Sequence, residues 1–192
     1  PHKELPAEAL IPGTTGTGTK SDPVICDSFA ELKAALQYQG DLYIRVDSFT
    51  NTTGLNYYSL KLGTDYTTLD AAIRIPAQTA KHLEINTTVD IRTTYLREEG
   101  DDLLYSTIAN YGNLYISGSG SLCGGFNASL PNGVIYNTGG GSVTVSGNVT
   151  IDGSHSVTTA HGCAIYNHQG NLTISGGTFT STNGSAVASY AY

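Results

Sequence analysis

The side chains that could act together chemically in the last third of the chain are Asp152, His155, His161, Cys163 and His168. Histidine and cysteine are zinc ligands, yet the steps of 6 and 7 between these histidines match no usual ligand spacing and fall between strand-like runs. No metal and no other cofactor is expected. Hydrolysis of a glycosidic bond needs two carboxylates flanking it, and Asp152 is the only charged residue after Asp102. Elimination would add a basic group, but all 9 Lys and Arg lie at or before Arg97. An enzyme would therefore have to draw on Asp65, Asp70 and Arg74 with the run Glu98, Glu99, Asp101 and Asp102. That run has no calcium-loop spacing and reads as a solvated loop. No catalytic residue is assigned.

Binding chemistry has better candidates. Residues 47–82 are rich in Tyr and Thr, and Tyr57, Tyr58 and Tyr66 could stack on sugars or fill an interface, as rings carried on loops of a rigid scaffold commonly do. These tyrosines could equally pack on the body of the protein as a half-buried cover. Residues 1–24 hold four of the 6 prolines and a Gly/Thr tract, which excludes a continuous helix or a central strand. They read as an extended arm: either a flexible terminus, or an anchor with Leu5, Leu10 and Ile11 as apolar pegs on a partner surface.

What must position these groups is a repeat. GNLYISGSGSL, GSVTVSGNVTI and GNLTISGGTFT begin at Gly112, Gly141 and Gly170, each 29 residues after the last, and a period of this size marks a stacked-repeat architecture. Within each copy apolar and polar residues alternate, as in a strand with one buried face. A second short strand follows, in which Leu122, Ile151 or Phe179 can point inward. One unit cannot bury its apolar face alone, so units stack into a coil of parallel strands. Working back through KHLEI and GDLYI, the expected inward column is Leu42, Leu83, Leu114, Val143 and Leu172. The outward residues Thr144, Ser146, Thr173 and Ser175 carry hydroxyls, with Tyr115 and Glu84 expected in the same columns. The tracts GVIYNTGG from Gly133 and CAIYNHQG from Cys163 repeat as well, and Val187 falls near the place of Ile165.

The 192 residues make one domain with a narrow core and a net charge of −7, which disfavours nucleic acid as a partner. No apolar run is long enough to insert in a membrane. Three cysteines, Cys26, Cys123 and Cys163, do not suggest a disulfide framework and read as small buried hydrophobes, with a Cys123–Cys163 pair or a bond to another subunit as the alternatives. Residues 1–25 have no apolar leader segment. Either a leader was cleaved or an initiator Met before Pro1 was trimmed, and the second fits a virion protein.

Asp27 or Ser28 offers an N-cap to SFAELKAALQYQG, in which Phe29, Leu32, Ala35 and Leu36 share one face and Gly40 supplies the stop. This helix, within residues 27–40, is expected to cap the open end of the coil that fills residues 41–192, with residues 1–26 as the arm.

SFAELKAAL followed by GDLYIRV, and then turns of the type IYN…GNLTISGGTF, resembles the right-handed parallel β-helix proteins of the pectate-lyase-like superfamily, in particular repeat-bearing surface proteins of gut bacteria and their phages. The resemblance covers residues 28–192. It implies an all-β solenoid, and roles that range from polysaccharide lyases and hydrolases to adhesins, tailspikes, fibres and decoration proteins. The reading that joins it to the residues is a non-enzymatic surface protein of the virion decoration or fibre type. Its residues 1–24 would hold it to a capsid or cell-envelope protein, its coil would face surface glycans, and a homotrimer would cover its C-terminal strand edge. A bacterial cell-surface adhesin is the alternative, and a polysaccharide lyase or hydrolase the second. The place of action is then a virion surface or the outside of a cell.

Overall fold

The computed structural model describes residues 9–49, 58–61, 68–87, 89–92, 104–124, 132–154, 162–181 and 184–190, with the backbone alone at 58–61, 68–72, 92, 104–105, 132 and 162. Its strands form three sheets, visited in rotation from Ala80 onward. The first sheet holds β1 (Val24–Ile25), β2 (Leu42–Val46), β5 (Ala80–Ile85), β8 (Asn113–Gly118), β11 (Ser142–Val145) and β14 (Asn171–Ile174), in that order. The second holds β6 (Asp90–Arg92), β9 (Ser121–Cys123), β12 (Thr150–Gly153) and β15 (Thr178–Ser181). The third holds β3 (Tyr58–Lys61), β4 (Thr68–Ile75), β7 (Leu104–Asn110), β10 (Asn132–Asn137), β13 (Gly162–His168) and β16 (Val187–Tyr190). Among the described residues every strand pair is parallel except β3–β4.

Alternation along strands such as β2, β5, β11 and β12 sends every second side chain into the space between the sheets. Leu114, Val143 and Leu172 are register partners, as are Leu122, Ile151 and Phe179, and Ile165 pairs with Val187. Leu114, Val143, Leu122, Ile151 and Ile165 belong to one buried cluster, on which Leu172, Phe179 and Val187 pack from the last turn. The expected column needs one correction. Lys81, not Leu83, pairs with Leu42 on one side and Leu114 on the other, while Leu83 pairs with Ile44 and Ile116. A lysine at a core position contradicts the apolar pattern, because burying its charge is costly. Here two backbone carbonyls receive it: Nζ donates to Tyr38 O at 2.8 Å and also to Gly40 O.

The helix α1 (Phe29–Gln37) forms where its apolar spacing predicts, with Ser28 as N-cap accepting from Glu31 N at 3.4 Å. Leu32, Ala35 and Leu36 are buried against β4 and β2. Gln37 Oε1 accepts from Arg74 N at 3.1 Å and so occupies a donor on β4.

Residues 9–26, expected as part of an extended arm, fold onto the coil instead. Thr14 Oγ1 donates to Ile11 O at 2.7 Å, and Tyr43 N donates to Gly18 O at 2.9 Å. Ile11, expected as a peg for a partner, is only 3% exposed and packs in the chain's own core with Val24 and Cys26. Leu10 is 40% exposed, and Leu5 lies outside the described residues. Ile11→Ala is expected to cost about 2–4 kcal/mol in urea unfolding and Leu10→Ala less than about 0.5. Equal, small losses would return Ile11 to the surface.

At the end of the third-sheet strands, Asn110, Asn137 and Asn167 line up in register. Asn110 Nδ2 donates to Asn137 Oδ1 (2.8 Å), Asn137 Nδ2 to Asn167 Oδ1 (2.7 Å), and Asn167 Nδ2 to Ser189 Oγ (2.9 Å). The same amides also donate to carbonyls of the turns that lead into the first sheet, among them Gly112, Gly141 and Gly170. The 29-residue glycine period has its reason here. A Cβ on Gly170 would stand 2.2 Å from Asn137 Nδ2, and one on Gly141 2.9 Å from Asn137 Oδ1.

Candidate functional site

The first sheet places its outward side chains in columns along the stacking direction. Tyr43, His82, Tyr115, Thr144 and Thr173 are successive register partners. Tyr43 and His82 stack with centroids 4.1 Å apart and planes 4° apart, and His82 and Tyr115 at 4.4 Å and 6°. Parallel strands lie about 4.8 Å apart, so in-register rings meet face to face. Burial, with a smaller contribution from Lys20 and against Asp41, holds the His82 imidazole below its ordinary value of 6.5 and so neutral at pH 7.

Ring faces inside this stack are occupied, and the ring edges point outward. Tyr115, 38% exposed, ends the aromatic run, and its far side looks over the much smaller Thr144. A step therefore exists there: an aromatic face above the Thr144 hydroxyl, with the Ser142 hydroxyl and the Asn113 amide, joined at 2.6 Å, beside it. An aromatic face beside hydroxyl and amide groups can hold the C–H face of a sugar while bonding its hydroxyls.

The neighbouring outward column runs Arg45, Glu84 and Ser117. Arg45 Nε pairs with Asp47 Oδ2 at 3.0 Å, and Asp47 Oδ1 accepts from Asn86 Nδ2 at 2.6 Å. Between the two columns lies a recess of about 250 Å³ lined by Lys20, Pro23, Tyr43, His82, Glu84 and Ser117.

Most residues singled out from sequence are not assembled into this face. Tyr57 and Tyr66 lie outside the described residues, and Tyr58 opens β3, of which the backbone alone is described. His155, His161, Asp65 and the acids of 98–102 also lie outside them. Arg74 lies over the Tyr111 ring, 5.0 Å from its centroid. His168 stacks with Tyr166 at 6.4 Å, and Cys163 is buried beside Tyr136 and Tyr166 on the outer face of the third sheet. None of the three cysteines is in a disulfide. Among the described residues no group of three or more His, Cys, Asp or Glu could hold a metal ion, and no helix is long and apolar enough to cross a membrane.

Asp152 and Asp90 share the second sheet without being brought together: β9 lies between their strands, Asp90 pairing with Ser121 and Asp152 with Cys123. Each carboxylate is engaged locally: Asp90 Oδ1 accepts from Ser121 Oγ at 3.0 Å, with Cys123 Sγ at 3.4 Å, and Asp152 Oδ1 accepts from Ser154 N at 2.8 Å and from Thr180 Oγ1.

The ring stack itself was missed from sequence. Its signal was present in GDLYI, KHLEI and GNLYI, but aligning Leu83 with Leu42 and Leu114 sets Glu84, not His82, beside Tyr43 and Tyr115. Comparison with protein-family models, with curated proteins and with solved structures finds no match for this chain.

Proposed function

We propose that this chain is a right-handed parallel β-helix serving as a non-enzymatic surface protein of the virion decoration or fibre type, and that the outward face of its first sheet binds glycans. The observation that carries the glycan reading is the step at Tyr115, a ring 38% exposed beside the smaller Thr144, with Ser142 and Asn113 next to them on the same sheet. The parallel sheets and the columns in register support the β-helix. Anchoring to a capsid or envelope protein falls to Leu10 and the residues before it. A homotrimer contact is assigned to the last turn, where Ile174 is 43% exposed.

A glycan array probed with the purified chain tests this reading. Neutral oligosaccharides are expected to bind, and Tyr115→Ala to weaken them at least tenfold, about 1.4 kcal/mol, with only the small loss of stability, under about 1 kcal/mol, that goes with the His82 stack. Absence of any glycan binding would remove the reading. The polysaccharide lyase or hydrolase alternative draws on Asp65, Asp70 and Arg74 with the acids of 98–102, and turnover of a polysaccharide that disappears in Asp70→Asn would put it first. Co-purification with cell envelopes and not with particles would favour the adhesin.

A further inference from the structure

We propose that the recess between Lys20 and Glu84 is a subsite for one neutral pyranose, whose adjacent hydroxyls bridge the Lys20 ammonium and the Glu84 carboxylate; this rests on the glycan-binding reading above. At about 250 Å³ the recess is just below the usual range for small-molecule pockets and suits one sugar ring, not an oligosaccharide. Its polar groups are mixed in kind: an ammonium that only donates, a carboxylate that only accepts, and the Ser117 hydroxyl that does both. A ligand of net negative charge would meet Glu84, and one of net positive charge would meet Lys20. A neutral diol satisfies both without an uncompensated charge.

His82 adds no third charge, since burial, partly offset by Asp41 and aided by Lys20, disfavours its protonation. Pro23, Ile44 and Tyr43 form the apolar part of the wall. Ser117 at the rim lies on β8, the strand that carries Tyr115. A bound chain would thus run along the stacking direction, with one ring in the recess and a later one on the Tyr115 step. Lys20 owes its place to the turn before β1, where Thr19 and Asp22 pair, so the folded-back segment 15–23 builds one wall of the site.

The test is an NMR titration of the full chain with methyl glucoside, methyl mannoside, methyl galactoside, glucuronate and glucosamine. At least one neutral glycoside is expected to shift the amides of Tyr43, Glu84 and Ser117 with millimolar affinity, and glucuronate and glucosamine to bind at least fivefold more weakly. Lys20→Gln and Glu84→Gln, both substitutions at the recess wall and not in the core, are each expected to weaken that glycoside at least tenfold. Glycans that bind, depend on Tyr115, and ignore both substitutions would overturn the recess while leaving the Tyr115 reading intact. Charged sugars that bind as well as neutral ones would overturn the neutral-ring assignment. Failure of every sugar and every array glycan to bind would overturn both.

Discussion

Asn137→Leu is expected to lower the unfolding free energy by about 3–5 kcal/mol, read as a fall in the urea midpoint at unchanged slope. Leucine has nearly the same shape, so the loss measures hydrogen bonding more than volume. The amide Nδ2 donates to Gly141 O at 3.2 Å, Asn171 O at 3.1 Å and Asn167 Oδ1 at 2.7 Å, while Oδ1 accepts from Asn110. Leucine withdraws a donor from three oxygens around a position with no exposed surface, and a buried polar group left unmatched costs about 1–3 kcal/mol. Asn137→Asp sharpens the test, because a carboxylate would face those oxygens with no donor at all. It should be worse than leucine at pH 7. Only the protonated acid can donate, so folding raises the pKa of the introduced carboxyl. Its deficit relative to wild type should be full above that raised value and shrink as pH falls through it toward the ordinary Asp range near about 4. A deficit independent of pH, or a leucine variant as stable as wild type, would mean that the asparagines align without contributing.

The same register shows why some of the molecule was legible in its sequence and some was not. The late turns repeat almost without insertion, so Leu114, Val143 and Leu172, then Leu122, Ile151 and Phe179, could be aligned by eye and are neighbours in the fold. The IYN tract was visible as a repeat, yet its asparagine looked like one more turn-forming residue. Its role is set by carbonyls of the following turn and by the next asparagine, contacts between residues 27 to 34 apart. Ile11 was misread because a short apolar step among Gly, Pro and Thr resembles a peg as much as the first layer of a core. The early turns failed for one reason above all. Pattern reading puts leucine, not lysine, at a buried column, and this shifted β5 by two residues and hid the Tyr43–His82–Tyr115 stack. A single buried charge thus concealed both the register and the candidate site.

That charge carries the second large prediction. Lys81 has 0% exposure, and its ammonium is held by Tyr38 O and Gly40 O just past the end of α1. The last turn of that helix has no basic residue of its own, so β5 supplies across the fold the cation that a helix C-terminus favours. Burial, partly offset by Asp41, lowers the Lys81 pKa from 10.5 to about 8. A lowered folded value means that the unfolded chain binds the proton more tightly. The Lys81 contribution is therefore fully present above 10.5 and is lost as pH falls from there through about 8. Other groups pull the opposite way at high pH: Cys26 is pushed from 9.0 up to about 12 and Tyr136 from 10.0 up to about 12, both chiefly by burial, and each loses its contribution as pH rises through that range. Comparing wild type with Lys81→Met cancels those groups. Methionine keeps the stem but leaves both carbonyls without a donor. Its cost should grow by about 2 kcal/mol between pH 7.5 and 9.5, as the wild-type amine sheds its proton and keeps its hydrogen bonds. Urea unfolding of both proteins across that interval decides the matter. A constant gap would mean that the ammonium is solvated in the folded protein, and the register of β5 would then have to return to the one that puts Leu83 in the column.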